Sequence, residues 1–237
     1  MGQMPFLPAA FCFACLGVSG QKGNGEGDMK LFQVDGPVYR FFARMWDMIK
    51  LNFLWLLCSL PVVTIGASTV AAYTVTLKML NDQEGYIGKE FFKAFRGNLK
   101  NGIPLGLVTL VAAYAVYLDF QIFHAVKEPP LIILIMGIIA VFVFLLGLIY
   151  AFPLSARYEN TLVCTLKNSW EISLRYFGRT VLLFVVLAVE LVLFFFTEWM
   201  FVLFALIGPC CLFLTVSGFA MYIFGQIEKD PDTVVRK

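Results

Sequence analysis

Between Leu51 and Leu77 the chain carries no charged residue, yet Pro61 and Gly66 interrupt the middle of that run. A helix of this length can cross a hydrocarbon core of about 30 Å once, or the chain can turn and come back. The flanks decide between the two. Lys30, Arg40, Arg44 and Lys50 precede the run, and Lys78, Lys89, Lys93, Arg96 and Lys100 follow it. Basic residues in short connections stay on the cytoplasmic side. With both flanks inside, the segment crosses an even number of times or not at all. Pro61 removes a backbone donor and kinks a helix, and Gly66 permits a turn. The expected structure is a hairpin: an amphipathic helix from about Gly36 enters at a slant, the chain turns over "PVVTIG", and a second short helix returns from Ala67 to Lys78. Non-helical backbone at membrane depth must be covered by protein or line a cavity. Pro61, Thr64, Gly66 and Ser68 are therefore a candidate broken-helix turn.

Four further apolar runs follow: 103–118, 131–156, 180–197 and 201–225, the third containing one acid, Glu190. Each suits a helix through a bilayer, and none shows the period-two alternation of a membrane barrel. The chain is 60% hydrophobic and 14% charged, where a soluble domain carries about 25% charged residues. The fold class expected is all-α: a polytopic helical membrane protein with about five to six membrane helices, the broken first hairpin included. Arg157, Lys167, Arg175 and Arg179 place 157–179 inside with 78–102 and the tail 226–237. The basic-poor connections 119–130 and 198–200 fall outside. Both termini are then cytoplasmic, and the localisation is a bacterial plasma membrane crossed several times.

Residues 5–19 look like a signal-peptide core, but no Lys or Arg precedes them. The polar, Gly-rich "GQKGNGEGD" that follows has no reason to fold. Residues 1–28 are expected to be a non-native or disordered leader, with the native start at Met29 and one helical membrane domain over 29–237. Two inner stretches, "FFKAFRGNLKNGIPL" and "NSWEISLRYFGRTVLL", each put aromatic residues and two bases four apart before a span. They read either as an internal duplication or as the anchors any helix entering from the cytoplasm wants.

Little in the chain points to catalysis. The net charge of +2 is too small to suggest nucleic acid. There is no GxxxxGK[ST], HExxH or GxSxG, and His124 is the single histidine. The six cysteines show no metal or disulfide spacing, the CxxC of Cys12 and Cys15 lying alone in the leader. No metal, no cofactor and no enzymatic activity are expected. Glu190 is the better lead, because a carboxyl in lipid is costly and usually serves a purpose. Its helical neighbours Val186, Leu187, Leu193 and Phe194 are all apolar, so its partner must lie on another helix. By depth the candidates are Tyr114 and Thr109 on the second run, and Ser217 or Thr215 on the last. Glu190, Tyr114 and Ser217 make a candidate intramembrane polar site.

The stretch "FQVDGPVYRFFARMWDMIKLNFLWLLCSLPVVTIGASTVAAYTVTLKML" resembles the N-terminal signature of the YesL family, bacterial membrane proteins with domain of unknown function 624. The matching positions are Asn52, Trp55, Leu60, Pro61, Thr64, Gly66, Ala67, Ser68, Ala71 and Lys78. The later "FKAFRGN" and "NSW" with "YFGRT" are also similar, and the resemblance covers about 31–225. It implies a setting beside sugar ABC importers, their regulators and glycoside hydrolases, and no mechanism. The function it suggests is an accessory or regulatory component of carbohydrate (oligosaccharide) ABC uptake, partnered by the lipid bilayer and by permease subunits or a sensor kinase. The alternative is a small-solute transporter or channel acting on its own.

Overall fold

A computed structural model describes residues 37–81, 85–125, 131–195 and 200–228. The leader 1–28, Lys127, Glu198 and the tail beyond Glu228 lie outside the described residues. Among the described residues every element is a helix. In chain order they are α1 (Pro37–Ser59), a 3-10 turn (Val62–Thr64), α2 (Ile65–Leu80), α3 (Ile87–Ala125), α4 (Leu131–Leu148), α5 (Ala151–Arg157), α6 (Leu162–Arg175), α7 (Phe177–Phe195) and α8 (Met200–Ile227). Among the described residues four stretches are long and apolar enough to cross a membrane, and five if the bent pair α6–α7 counts as one span. The four are Val62–Leu80, Ile87–Phe123, Ile135–Arg157 and Ile207–Ile227. Helix α1, which carries Arg44, Asp47 and Lys50, is not among them. The described residues thus give four to five such helices against the expected five to six, because the charges on α1 keep it out of the count.

The chain reverses at Pro61. On a continuous helix, residues nine apart would stand about 13 Å from one another and residues fourteen apart about 21 Å. Instead the Ser59 and Ser68 hydroxyls meet at 2.6 Å, and Trp55 Nε1 donates to Thr69 Oγ1 at 3.2 Å. The returning arm, α2, is the most enclosed helix, with its residues from Gly66 to Val75 nearly all buried.

What encloses α2 is chiefly α3, with α8 on another side. The two helices run antiparallel, since Gly66 lies on Gly102 and Gly106 while Lys78 pairs with Glu90. A Cβ built on Gly66 would stand 2.5 Å from Gly106 Cα, and one on Gly102 would stand 2.6 Å from Ala67 Cα. Two helix backbones therefore touch. The Gly102-x-x-x-Gly106 spacing is the small-residue pattern that permits such an approach. Below it, Val70, Leu105, Leu148 and Ala151 close the junction with α4 and α5.

Two elements differ from the expected runs for identifiable reasons. The 103–118 run lies inside one helix of 39 residues, α3, because charged residues end an apolar run without ending a helix. The 131–156 run splits at Ile149 and Tyr150. Pro153 has no N–H for the Ile149 carbonyl and crowds it, which breaks a helix about one turn earlier. Ser173 Oγ on α6 then donates to the Leu146 carbonyl at 2.5 Å, serving the last turn of α4.

Side-chain bonds gather one end of the bundle. Lys78 pairs with Glu90, and Asn101 Nδ2 donates to the Asn160 carbonyl at 3.4 Å. Arg157 Nη2 and Tyr158 OH both donate to Glu228 Oε1, at 2.8 and 2.9 Å. Burial and the adjoining Glu228 carboxylate push the Tyr158 hydroxyl up to about 12. The basic connections 78–102 and 157–179 thus share an end with the close of α8. The two similar inner stretches fold differently: the first runs unbroken inside α3, whereas the second bends by 95° between α6 and α7.

The backbone contact makes a direct prediction. Gly66→Ala and Gly106→Ala should each lower the melting temperature in detergent, at a cost of about 1–3 kcal/mol for overpacking. Gly97→Ala, on α3 with open space at its Cβ, should leave it unchanged or raise it, since alanine favours a helix by about 1 kcal/mol over glycine. Equal melting of all three variants would show that the helices do not touch there.

Candidate functional site

The broken turn is held by its own side chains. Thr64 Oγ1 reaches the Cys58 carbonyl at 2.7 Å and the Pro61 carbonyl at 2.8 Å. The first of these serves a carbonyl in the last turn of α1, which the helix itself leaves without a donor. Thr64 N–H closes the turn on the Pro61 carbonyl at 2.9 Å. Ser68 and Thr69 bond back to the Ile65 carbonyl at 2.9 and 2.8 Å, while also meeting Ser59 and Trp55 across the hairpin. Pro61, Thr64, Gly66 and Ser68 therefore come together. Gly66, Ala67 and Ser68 are buried against α3 and α1, so this backbone packs and lines no open space. The tip is exposed and apolar: Leu60 is 75% exposed, with Val62 and Val63 beside it.

Glu190 lies two-thirds of the way along α7, half-buried, and finds its partner on α8. Thr215 Oγ1 stands 3.1 Å from Glu190 Oε2 and 3.4 Å from Oε1. The other candidates are engaged elsewhere. Ser217 is fully buried and meets Thr76 of α2 at 2.7 Å. Two positions along a helix turn a side chain by about 200°, so Ser217 and Thr215 serve opposite neighbours. Thr109 bonds back to the Leu105 carbonyl. Tyr114 is exposed and stacks on Tyr117, with ring centroids 6.4 Å apart. The expected grouping of Glu190 with Tyr114 and Ser217 is therefore replaced by a two-residue pair, Glu190 with Thr215.

A second polar region surrounds the α6–α7 bend. Thr165, Asn168, Ser169 and Ser173 fill the buried face of α6 with Ile172. Tyr150 OH and Thr180 Oγ1 are 3.3 Å apart behind it. Arg179 lies over the Tyr222 ring at 4.4 Å and donates to its hydroxyl at 3.2 Å. The signal for this region was in the sequence as Pro153 and the polar spacing of 165, 168, 169 and 173, whose meaning depends on the break in α4. Cys210 and Cys211 are buried in the core between α1, α2 and α8.

Comparison with known proteins gives a consistent picture. A family model described as "Protein of unknown function, DUF624" matches residues 48–120, which holds the hairpin and the Gly102–Gly106 contact. The chain is similar to "Uncharacterized protein YesL" of Bacillus subtilis (strain 168), with 27% identity over 135 residues. That alignment covers 55% of this chain and 64% of the relative's own length. No solved structure matches.

The Glu190–Thr215 pair sets the next expectation. Glu190→Gln keeps a group that Thr215 can bond, so folding and melting should be preserved. Glu190→Leu leaves the Thr215 hydroxyl without that partner and should cost about 1 kcal/mol. The double variant Glu190→Leu with Thr215→Val should cost no more than Glu190→Leu alone, because the orphaned hydroxyl is gone. Fully additive losses would mean that the two side chains do not interact.

Proposed function

From the chain's likeness to YesL and to the DUF624 family model over residues 48–120, we propose that it is an accessory or regulatory membrane component of oligosaccharide ABC uptake, working on a permease subunit or a sensor kinase. The observation that carries this reading is the outer face of α1. Phe42, Trp46, Phe53, Leu56 and Leu57 are all exposed, and their helical spacing keeps them on one face. The other face of α1 packs on α2, α3 and α8. A helix that carries charges and still offers an apolar stripe this long suits the flank of another membrane protein. The resemblance supplies the sugar-uptake setting.

In this reading the chain lies in a bacterial plasma membrane with both termini and the basic end of the bundle in the cytoplasm. Nine bases, Lys78 through Arg179, lie in the two connections that share that end, which supports the orientation. A cysteine placed at Lys127 should react with an impermeant label in intact cells. One at Lys93 should react only after permeabilisation, and the reverse pattern would overturn the orientation.

Purification in mild detergent tests the role itself. Sugar permease subunits should accompany the wild-type chain, and Leu56→Asn should reduce that recovery several-fold without changing the melting temperature. Recovery of the chain free of any permease or kinase would sink the accessory role. A second reading, a small-solute transporter, is favoured by the Glu190–Thr215 pair, because a carboxyl between two membrane helices can hold a proton or a cation. Solute flux into liposomes containing only this chain, lost in Glu190→Gln, would select it instead.

A further inference from the structure

Helix α3 is longer than a bilayer needs. Its 39 residues extend about 58 Å, against a hydrocarbon core of about 30 Å. The uncharged part begins at Ile103, and residues 87–102 carry five charged side chains ahead of it. On this part Lys89, Phe92, Lys93 and Arg96 recur at intervals of three and four, and Lys100 prolongs the row. They occupy one exposed face, opposite the face where Phe91 is buried in the core. With Tyr86 and Gly88, four of them line an open concavity. Lys89 lies over the Tyr86 ring at 5.9 Å, and the Phe92 ring is partly bare.

The one carboxylate recorded near these bases among the described residues is Glu90, whose charge is felt by Lys93. Among the described residues none of Lys89, Lys93, Arg96 or Lys100 forms an ion pair, and Glu90, the carboxylate on the same turns, is taken by Lys78. The depth of the row matters as much as its charge. The hairpin runs beside this part of α3, from Gly66 at Gly102–Gly106 down to Lys78 at Glu90. The pairing of Ser59 with Ser68 and of Trp55 with Thr69 sets α1 in register with both. The exposed Phe53, Leu56 and Leu57 of α1 therefore share a level with the exposed Lys93, Arg96 and Lys100 of α3. One flank of the bundle bares an apolar surface at a depth where the other flank fixes positive charge.

An amphiphile with an anionic head satisfies both. We propose that Lys89, Lys93 and Arg96, with Phe92 and Tyr86 beside them, form a binding site for the phosphate headgroup of an anionic phospholipid. The long basic stems lie along apolar surface and bring their charges to the phosphate, and the Lys89 ammonium lies over the Tyr86 ring. This site is independent of the accessory role, which rests on α1.

The test uses the full chain in vesicles of phosphatidylcholine, with and without phosphatidylglycerol, and counts retained lipids by native mass spectrometry. Wild type should retain phosphatidylglycerol selectively and melt higher in its presence. The triple variant Lys89→Gln, Lys93→Gln, Arg96→Gln should lose the selectivity, with affinity falling by about tenfold or more, since each base near an anionic surface contributes about fivefold. Its melting in pure phosphatidylcholine should equal wild type, because all three side chains are exposed. A second variant, Lys167→Gln with Arg175→Gln on α6, should keep the selectivity. Equal loss in both variants would overturn the proposal in favour of a diffuse charge effect. Reproduction of the melting shift by inorganic phosphate alone would overturn the lipid assignment. So would a triple variant that retains phosphatidylglycerol while losing a co-purifying acidic protein.

Discussion

The contact of Gly66 with Gly102 and Gly106 places the remaining helices. Lipid tails are as apolar as leucine, so helices in a bilayer are held by close packing and by polar bonds rather than by exclusion from water. Three glycines let α2 lie backbone to backbone against α3. That approach makes α2 the buried centre on which α1, α5 and α8 assemble. A side chain at any of the three would push α2 outward and open the seam filled by Val70, Leu105 and Ala151. The broken turn follows from the same contact. The chain has to reach Gly66 from α1 within a few residues, and Pro61 with the Thr64 hydroxyl makes that reversal without an orphaned carbonyl at Cys58.

Polar bonds fix what packing leaves free. Thr76 with Ser217 ties α2 to α8, Glu190 with Thr215 ties α7 to α8, and Ser173 on α6 serves the broken end of α4. Each joins residues 25 or more apart in the chain, and each uses a hydroxyl, which can also bond its own helix when its partner is absent. Such bonds contribute about 1 kcal/mol or less apiece in a membrane. Their role is therefore one of register. They select one rotation of each helix among several that would bury similar apolar area.

The sequence displayed the helices and their order plainly, because a bilayer demands long uncharged runs and punishes charge within them. It also displayed the reversal at Pro61, through basic residues on both sides of one run. Less legible were the places where helices end or touch. Charges at Lys100 and Asp119 marked lipid depth, yet α3 continues past both. Pro153 broke α4 inside a run that hydropathy showed as one. The Gly102–Gly106 spacing was visible, but only the partner helix gives it meaning. For Glu190, depth alone left four candidates, and helical rotation, which depth does not contain, chose Thr215 over Ser217.

The bundle has two unlike halves. Around α2 the residues are enclosed by protein, and bonds among Arg157, Tyr158 and Glu228 close the basic end. Beyond Gly106, α3 bares Val111, Tyr114, Tyr117 and Phe120, while α4 bares Ile132, Met136 and Ile138, and α7 bares Val185 and Val192. Their exposed faces are apolar, so the medium that covers them is lipid or another membrane protein. The enclosed half keeps its geometry through its own contacts. The outer half takes its packing from whatever surrounds it, so a change in lipid or partner would act first on α3 beyond Gly106, α4 and the outer turns of α7. Glu190 lies on one of those turns and is joined to α8 by a single hydroxyl. A shift of the outer half would therefore reach that carboxyl before it reached the hairpin.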